Sequence, residues 1–134
     1  MSSTGRWRAF ALVALCSTAL EAADVPRQIR WLHGERKAAA LSRKTGKPLL
    51  IDFRADWCSA CKMLDADTWP DAGVRAEVAA HFVPLQIDMT ADGEATKRIA
   101  ERYGIVGLPT ILAGTRRIDG FVRPAALLEA LRGR

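Results

Sequence analysis

The chain has 134 residues, of which 49% are hydrophobic, and its 20 basic and 15 acidic residues give a formal charge of +5. This length suits one domain with a single core, and the hydrophobic content is that of an ordinary globular protein. The basic residues are scattered and no stripe of them alternates with aromatic residues, so we expect a solvated surface and no nucleic-acid-binding face.

Residues 1–23 have the pattern of a secretory signal peptide. Two arginines form a basic start, and Ala9–Leu20 is an apolar run of 12 residues that is broken only by Ser17 and Thr18. Such a run is too short to span a bilayer and has the length of a signal-peptide core. We therefore expect cleavage, which leaves residues 24–134 as one domain in the periplasm or another exported, oxidising location. An N-terminal membrane anchor, or a lipid on Cys16, remains an alternative.

The first half of this domain is predicted to hold two strands and two helices. Ile29–Leu32 is a candidate for a short first strand, and Glu35–Lys44 is an alanine-rich, charged stretch typical of a helix. Leu49–Ala55 is almost continuously apolar, as in a central strand that is covered on both faces. A helix is expected from about Ser59, and it must end or kink by Pro70.

The second half is predicted to contain, in order, a helix, a strand, a helix, two short strands around a turn, and a final helix. Their expected ranges are Asp71–His81, Phe82–Asp88, Ala95–Tyr103, Thr110–Ala113, Ile118–Val122, and Pro124 to the C-terminus. This alternation of strands and helices predicts one α/β layer system.

The residues Cys58-Ser59-Ala60-Cys61 lie between the apolar strand and the following helix. A helix N-terminus has free N–H groups and a positive dipole end, which favour a thiolate at Cys58. Cys61 follows one turn later on the same face, within reach of a mixed disulfide on Cys58. We therefore predict a redox-active disulfide, with Cys58 as the attacking residue and Cys61 as the resolving residue.

Two other interpretations of the pair remain open. A zinc site would need two more ligands, and the histidine candidates, His33 and His81, lie far from the pair in the sequence. A purely structural disulfide would close a very small loop, which stabilises a fold little compared with a long one. We expect neither a metal nor another cofactor.

Three side chains near the pair are further candidates. Asp52 interrupts the apolar strand, either as a proton acceptor for Cys61 or as an exposed acid at a strand end. Asp65, one turn beyond Cys61, is either a second acid near the thiols or a solvated helix charge. Trp57 directly precedes Cys58 and either contacts partners or packs in the core. Arg54 is interpreted as a charge at the rim.

These residues resemble the thioredoxin family. Ile51–Lys62 resembles its active-site block, and Tyr103–Thr110 resembles its partner block. The sequence Ala-Asp-Trp-Cys-x-Ala-Cys-Lys is similar to the C-terminal, periplasmic domain of DsbD thiol:disulfide interchange proteins, as are Asp65 and the stretch Thr90–Asp92. The resemblance covers about residues 28–132 and implies a thioredoxin-like three-layer fold, with a central mixed sheet flanked by helices.

The resemblance also implies a substrate-binding edge beside the thiols. The edge consists of Val106, Gly107, Leu108 and Pro109, and Trp57 is a further residue expected to contact the client. A cis peptide bond is expected before Pro109, and the edge would pair with an extended client segment through backbone hydrogen bonds. The resemblance further assigns Asp52 as the buried acid and Asp65 as its companion.

Implied partners are disulfide-bearing client proteins and a separate membrane thiol electron carrier of the DsbD or CcdA type, and we expect a monomer. The sequence departs from the family in two places. The dipeptide Ser59-Ala60 is neither the Gly-Pro of thioredoxin nor the Pro-His of strong oxidases, and the segment Thr110–Gly120 is shorter than usual, which predicts a short last hairpin. We predict a protein-disulfide reductase, with a thiol oxidase or isomerase, or a non-catalytic binding or chaperone module, as alternatives.

Overall fold

The computed structural model describes residues 24–133, so the expected signal peptide lies outside the described residues. Four strands form one mixed sheet: β1 Leu49–Arg54, β2 Val83–Asp88, β3 Thr110–Ala113 and β4 Arg116–Asp119. Their order is β2-β1-β3-β4, with β1 parallel to β2 and antiparallel to β3, and with β3 and β4 as an antiparallel hairpin. The apolar strand before the cysteines therefore lies inside the sheet, as predicted.

The described residues also form five α-helices. Their ranges are α1 Glu35–Thr45, α2 Ser59–Met63, α3 Ala72–His81, α4 Glu94–Tyr103 and α5 Pro124–Arg132. A π-helical segment, Leu64–Thr68, continues α2 and ends before Pro70, as the sequence requires. The predicted helices are therefore confirmed. Within the described part of the chain, no helix is long and apolar enough to cross a membrane.

The helices form two layers, one on each face of the sheet. α1 and α4 pack on the face that carries Ile51 and Phe53. The π-helical segment, α3 and α5 pack on the opposite face, where Leu50 is buried. Because successive strand residues point to opposite faces, Asp52 shares the face of Leu50. This arrangement is the three-layer α/β fold that the sequence predicts.

The predicted first strand, Ile29–Leu32, is wrong. Only Leu32 pairs with the sheet, through a single parallel bridge to Leu85. The backbone turns just before this bridge, because the N–H of Trp31 donates to the carbonyl of Ile29 at 3.1 Å. The Trp31 ring packs edge-on against the buried Trp69, with ring centroids 5.1 Å apart. Side-chain packing thus takes the place of strand pairing in this segment.

The last strand is also displaced from its predicted range. Ile118–Val122 was expected, whereas β4 begins at Arg116 and ends at Asp119. The two-residue turn at Gly114 pairs Ala113 directly with Arg116, which starts the strand two residues early. Charged residues suit β4 because it is an edge strand. The hairpin is short, as predicted.

Candidate active site

The cysteine pair lies at the start of α2 and is closed as a disulfide, with the two Cα atoms 5.3 Å apart. Cys58 is the N-cap residue of the helix, and its Sγ accepts the backbone N–H of Cys61 at 3.1 Å. Cys58 is 6% exposed and Cys61 is 1% exposed, so solvent reaches the first sulfur-bearing residue and not the second. This geometry suits the predicted roles of attacking and resolving residue.

Asp52 is buried, which excludes the alternative of an exposed acid at a strand end. The residue is 1% exposed, and its Oδ2 accepts a hydrogen bond from the side-chain amide of Gln86 at 3.1 Å. Its Oδ1 has no hydrogen-bond partner among the described residues. Burial raises the pKa of the Asp52 carboxyl to about 6, and the nearby negative charge of Asp65 acts in the same direction. The Gln86 hydrogen bond and the Arg54 charge partly offset this rise.

Trp69 lies on the same side of the sheet as Asp52. Its indole N–H is buried and its contact with Asp52 does not have hydrogen-bond geometry, yet it is close enough to lower the pKa of Asp52 slightly. Two polar groups beside Asp52 therefore favour its charged form: the half-buried Gln86 amide and the buried Trp69 indole.

Gln86 is a site residue that the sequence analysis missed. It lies on β2 directly opposite Asp52 in the parallel register of β1 and β2. The available signal was a polar residue between the apolar residues Leu85 and Ile87 of the predicted strand. Its importance becomes visible only when the two strands are paired, because the register decides which residue faces Asp52.

Arg54 is the second residue that was missed, since its charge was interpreted as part of the rim. It ends β1 two residues after Asp52, and its guanidinium contacts Asp65 at 2.9 Å and Asp56 at 3.3 Å. Residues two apart on a strand share a face, and that rule could have placed Arg54 beside Asp52. Asp65 therefore comes close to Asp52, as the resemblance implied, but it is ion-paired with Arg54.

Trp57 is 67% exposed and lies outside the core. Its indole N–H donates to the carbonyl of Thr90 at 3.2 Å, and the backbone N–H of Asp56 donates to the Thr90 hydroxyl oxygen at 2.9 Å. The loop after β2 thus holds the Asp56-Trp57 turn in front of Cys58. The Trp57 ring is available to a partner.

The segment Gly104–Pro109, here called the client loop, runs from the end of α4 to β3. The peptide bond between Leu108 and Pro109 is cis, which confirms the expectation from the resemblance. Leu108 packs against the cluster that contains both cysteines, whereas Val106 is 95% exposed. Among the described residues, no partner hydrogen-bonds the backbone N–H or C=O of Val106 or Leu108. Free backbone groups therefore lie beside the disulfide.

The structure brings together most of the predicted site residues. β1 carries Asp52 and leads into Cys58, and the helix that Cys58 begins carries Cys61 and, one turn later, Asp65. In residues 24–133, no three His, Cys, Asp or Glu side chains come together as ligands of a metal ion.

The sequence matches the thioredoxin-like domain family over residues 36–133. It is 37% identical to the thiol:disulfide interchange protein DsbD of Ralstonia nicotianae over 103 residues, which cover 72% of this chain. It is 34% identical to the thiol:disulfide interchange protein DsbD 1 of Pseudomonas aeruginosa over 71% of this chain. In each case the match spans 17% of the relative's length.

Solved structures show the same architecture. A thioredoxin from Thermus thermophilus superposes with a TM-score of 0.68 at 26% identity, over 79% of this chain and 86% of that one. The oxidised C-terminal domain of DsbD from Neisseria meningitidis gives a TM-score of 0.62 at 26% identity, over 77% of this chain and 97% of that domain. The fold is therefore thioredoxin-like, and the range matched by the family contains both cysteines and the cis proline.

Proposed function

The chain belongs to the thioredoxin-like domain family and resembles the C-terminal domain of DsbD, and from this premise we propose that it is an exported protein-disulfide reductase. One observation supports the proposal most. The Cys58–Cys61 disulfide begins a helix and shares a cluster with Leu108, on a loop whose free backbone groups suit an extended client segment.

The reaction is a two-step exchange. In the reduced protein, the Cys58 thiolate attacks one sulfur of a client disulfide, forms a mixed disulfide and releases the other client sulfur as a thiolate. Cys61 loses its proton and attacks the Cys58 sulfur, which restores the Cys58–Cys61 disulfide and releases the second client thiolate. Two electrons pass from the pair to the client, and a dithiol donor must then reduce the pair again.

Cys58 is suited to the first step by its position. The backbone N–H of Cys61 points at its sulfur, and the helix begins immediately after it. Both features favour the thiolate over the thiol, and the thiolate is the nucleophile.

Asp52 is suited to the second step by its pKa. A carboxylate with a pKa of about 6 is ionised at neutral pH and is a stronger base than an ordinary aspartate. We propose that Asp52 accepts the Cys61 proton, and that Asp65 adjusts the basicity of Asp52 through its negative charge. Trp57 and the client loop, including Val106, would contact the client.

The partners and location extend the proposal. Matched relatives are named as thiol:disulfide interchange proteins, which supports exchange with protein disulfides and reduction by a membrane thiol electron carrier of the DsbD or CcdA type. The same likeness supports a periplasmic location. Because the chain spans only 17% of these relatives' length, their whole activity is not carried over.

Trapping of mixed disulfides tests the proposal. A Cys61→Ala variant retains the attacking thiolate but lacks the resolving one, so it should accumulate covalent complexes with client proteins that reducing agents release. The matched control is Cys58→Ala, which keeps one thiol in the same helix turn but lacks the attacking residue. Equal capture by both variants, or capture by neither, would contradict the proposed roles of the cysteines.

A further inference from the structure

The client loop is anchored by the short hairpin of β3 and β4. At the start of the loop, the Arg117 guanidinium donates to the carbonyl of Tyr103 at 3.1 Å and to the carbonyl of Gly104 at 2.8 Å. These carbonyls lie at the C-terminal end of α4, where cationic donors are favourable. One side chain thus supplies two donors to the point where the helix becomes the loop.

Two further contacts anchor the middle and the end of the loop. The buried Thr110 hydroxyl donates to the carbonyl of Gly107 at 2.8 Å, and the N–H of Gly120 donates to the carbonyl of Pro109 at 2.8 Å. The hairpin therefore holds the loop at its start, middle and end. Val106 and Leu108, which lie between these anchors, keep their backbone groups free.

The register of the hairpin explains why Arg117 reaches the loop and its neighbour does not. Arg117 is opposite Leu112, which packs on the α1 and α4 side of the sheet. Arg116 is opposite Ala113 and points to the other face, where its guanidinium lies beside Gly133. Asp119 shares the face of Arg117 and accepts from its Nε at 3.1 Å, which fixes the guanidinium plane.

From these contacts we infer that Arg117 is a positioning residue for client binding, which holds the client loop in the conformation that pairs with an extended client segment. The inference rests on the proposed function. A loop that is already ordered loses less conformational entropy when a client binds. Arg117 touches neither the thiols nor the client groups of the loop, so its effect falls on binding and leaves the exchange chemistry unchanged.

The test compares Arg117→Met with Arg116→Met. Both variants remove one positive charge from the same strand, but only the first removes contacts with the loop. The substrates are insulin, a protein disulfide that is expected to pair with the loop, and 5,5′-dithiobis(2-nitrobenzoate), a small disulfide that need not. Dithiothreitol is the donor in the insulin assay, whereas the small disulfide is mixed with pre-reduced protein from which dithiothreitol has been removed, because dithiothreitol would reduce it directly. For Arg117→Met, we expect the KM for insulin to rise about five-fold, as for the loss of about one net hydrogen bond, with kcat little changed.

The rate with the small disulfide should be the same in both variants and in the unsubstituted protein. An equal KM for insulin in Arg117→Met and Arg116→Met would overturn the inference, as would an equal loss of rate with both substrates. An unsubstituted protein that fails to reduce insulin would instead count against the proposed function.

A second readout does not depend on activity. NMR order parameters of the backbone N–H groups of Val106, Gly107 and Leu108 should fall in Arg117→Met from about 0.85, the value of rigid backbone, towards about 0.6. They should stay unchanged in Arg116→Met. Unchanged order parameters in Arg117→Met would overturn the inference whether or not insulin is a client.

Discussion

The cysteine helix and the client loop lie beside each other but are built in different ways. Beside the cysteine helix, Asp52 lies beneath the surface, and the guanidinium of Arg54 joins Asp65 to the end of β1. The client loop has no ionisable side chain, and hydrogen bonds from the hairpin to its backbone carbonyls hold it in place. Burial and nearby charges thus set the proton affinity of Asp52 in the first region, whereas hydrogen bonds set the backbone conformation of the second. Substitutions in the two regions should therefore change different kinetic quantities.

Cys58→Ser gives the largest expected effect and tests the chemistry at the cysteine helix. A serine hydroxyl at the N-cap keeps a cap for α2 but is not ionised at neutral pH, so no mixed disulfide forms. Reduction of insulin and of the small disulfide should both be abolished, while circular dichroism shows an unchanged fold. Reduction that survives in this variant would contradict the role of Cys58 as the attacking residue. A biological activity that survives the loss of reduction would point to a binding or chaperone module in place of an enzyme.

Asp52→Asn should change stability and rate in opposite directions. The folded-state pKa of about 6 exceeds the ordinary value of 3.8, so the folded protein holds the extra proton and its free energy of unfolding falls as the pH rises through this interval. The introduced asparagine does not ionise, so the free energy of unfolding of the variant should exceed that of the unsubstituted protein by up to about 3 kcal/mol at pH 7. The two values should be equal below about pH 4. Denaturant unfolding at both pH values measures the difference.

The same variant should resolve mixed disulfides slowly. Without the carboxylate, the proton of Cys61 has no buried acceptor, and a rate loss of about 100-fold at pH 7 is expected. In the unsubstituted protein the resolution rate should decline below about pH 6, whereas Asp52→Asn should lack this step. An identical pH profile in both proteins would show that Asp52 is not the acceptor.

Val106→Asp probes the loop side of the comparison. The side chain is 95% exposed in the free protein, so stability should not change. If a client covers the Val106 side chain, the substitution removes this apolar contact and buries a charge under the client. Together these changes should raise the KM for insulin by about ten-fold. The rate with the small disulfide should remain the same. An equal loss of rate with both substrates would contradict the assignment of client binding to the loop and of chemistry to the cysteine helix.

Arg54→Gln gives the smallest expected effect. Loss of the guanidinium removes a positive charge near Asp52 and releases Asp65, and both changes move the pKa of Asp52 upward. The step in the resolution rate should shift to higher pH by less than about one unit, because the charges are partly solvated. Asp56→Asn is the matched control, since it breaks the other ion pair of Arg54 but leaves the cation in place. A shift of equal size in the control would contradict this role.

The sequence predicts the chemical region better than the region that we propose binds the client. Cys58, Cys61 and Asp52 are apparent because a thiol pair at a helix start and an acid in an apolar strand are unusual locally. Arg54 and Gln86 are not, because their roles depend on strand pairing and on which face each residue occupies.

The hairpin shows the same limit more clearly. Arg116 and Arg117 are identical neighbours in the sequence, and only the register of β3 with β4 shows that Arg117 alone reaches the loop. The wrong range expected for β4 has the same origin, because a two-residue turn sets that register. The failed strand at Ile29–Leu32 shows how the packing of Trp31 on Trp69 overrides local strand preference.

The reduction potential of the Cys58–Cys61 pair tests the central claim most directly. Equilibration of the purified protein with glutathione or dithiothreitol buffers, with the thiols quantified after alkylation, gives this value. A reductase should have a potential near that of thioredoxin, about −270 mV, so that the dithiol donates electrons to clients. A value near or above about −180 mV, in the range of isomerases and oxidases, would contradict a reductase and favour exchange in the opposite direction.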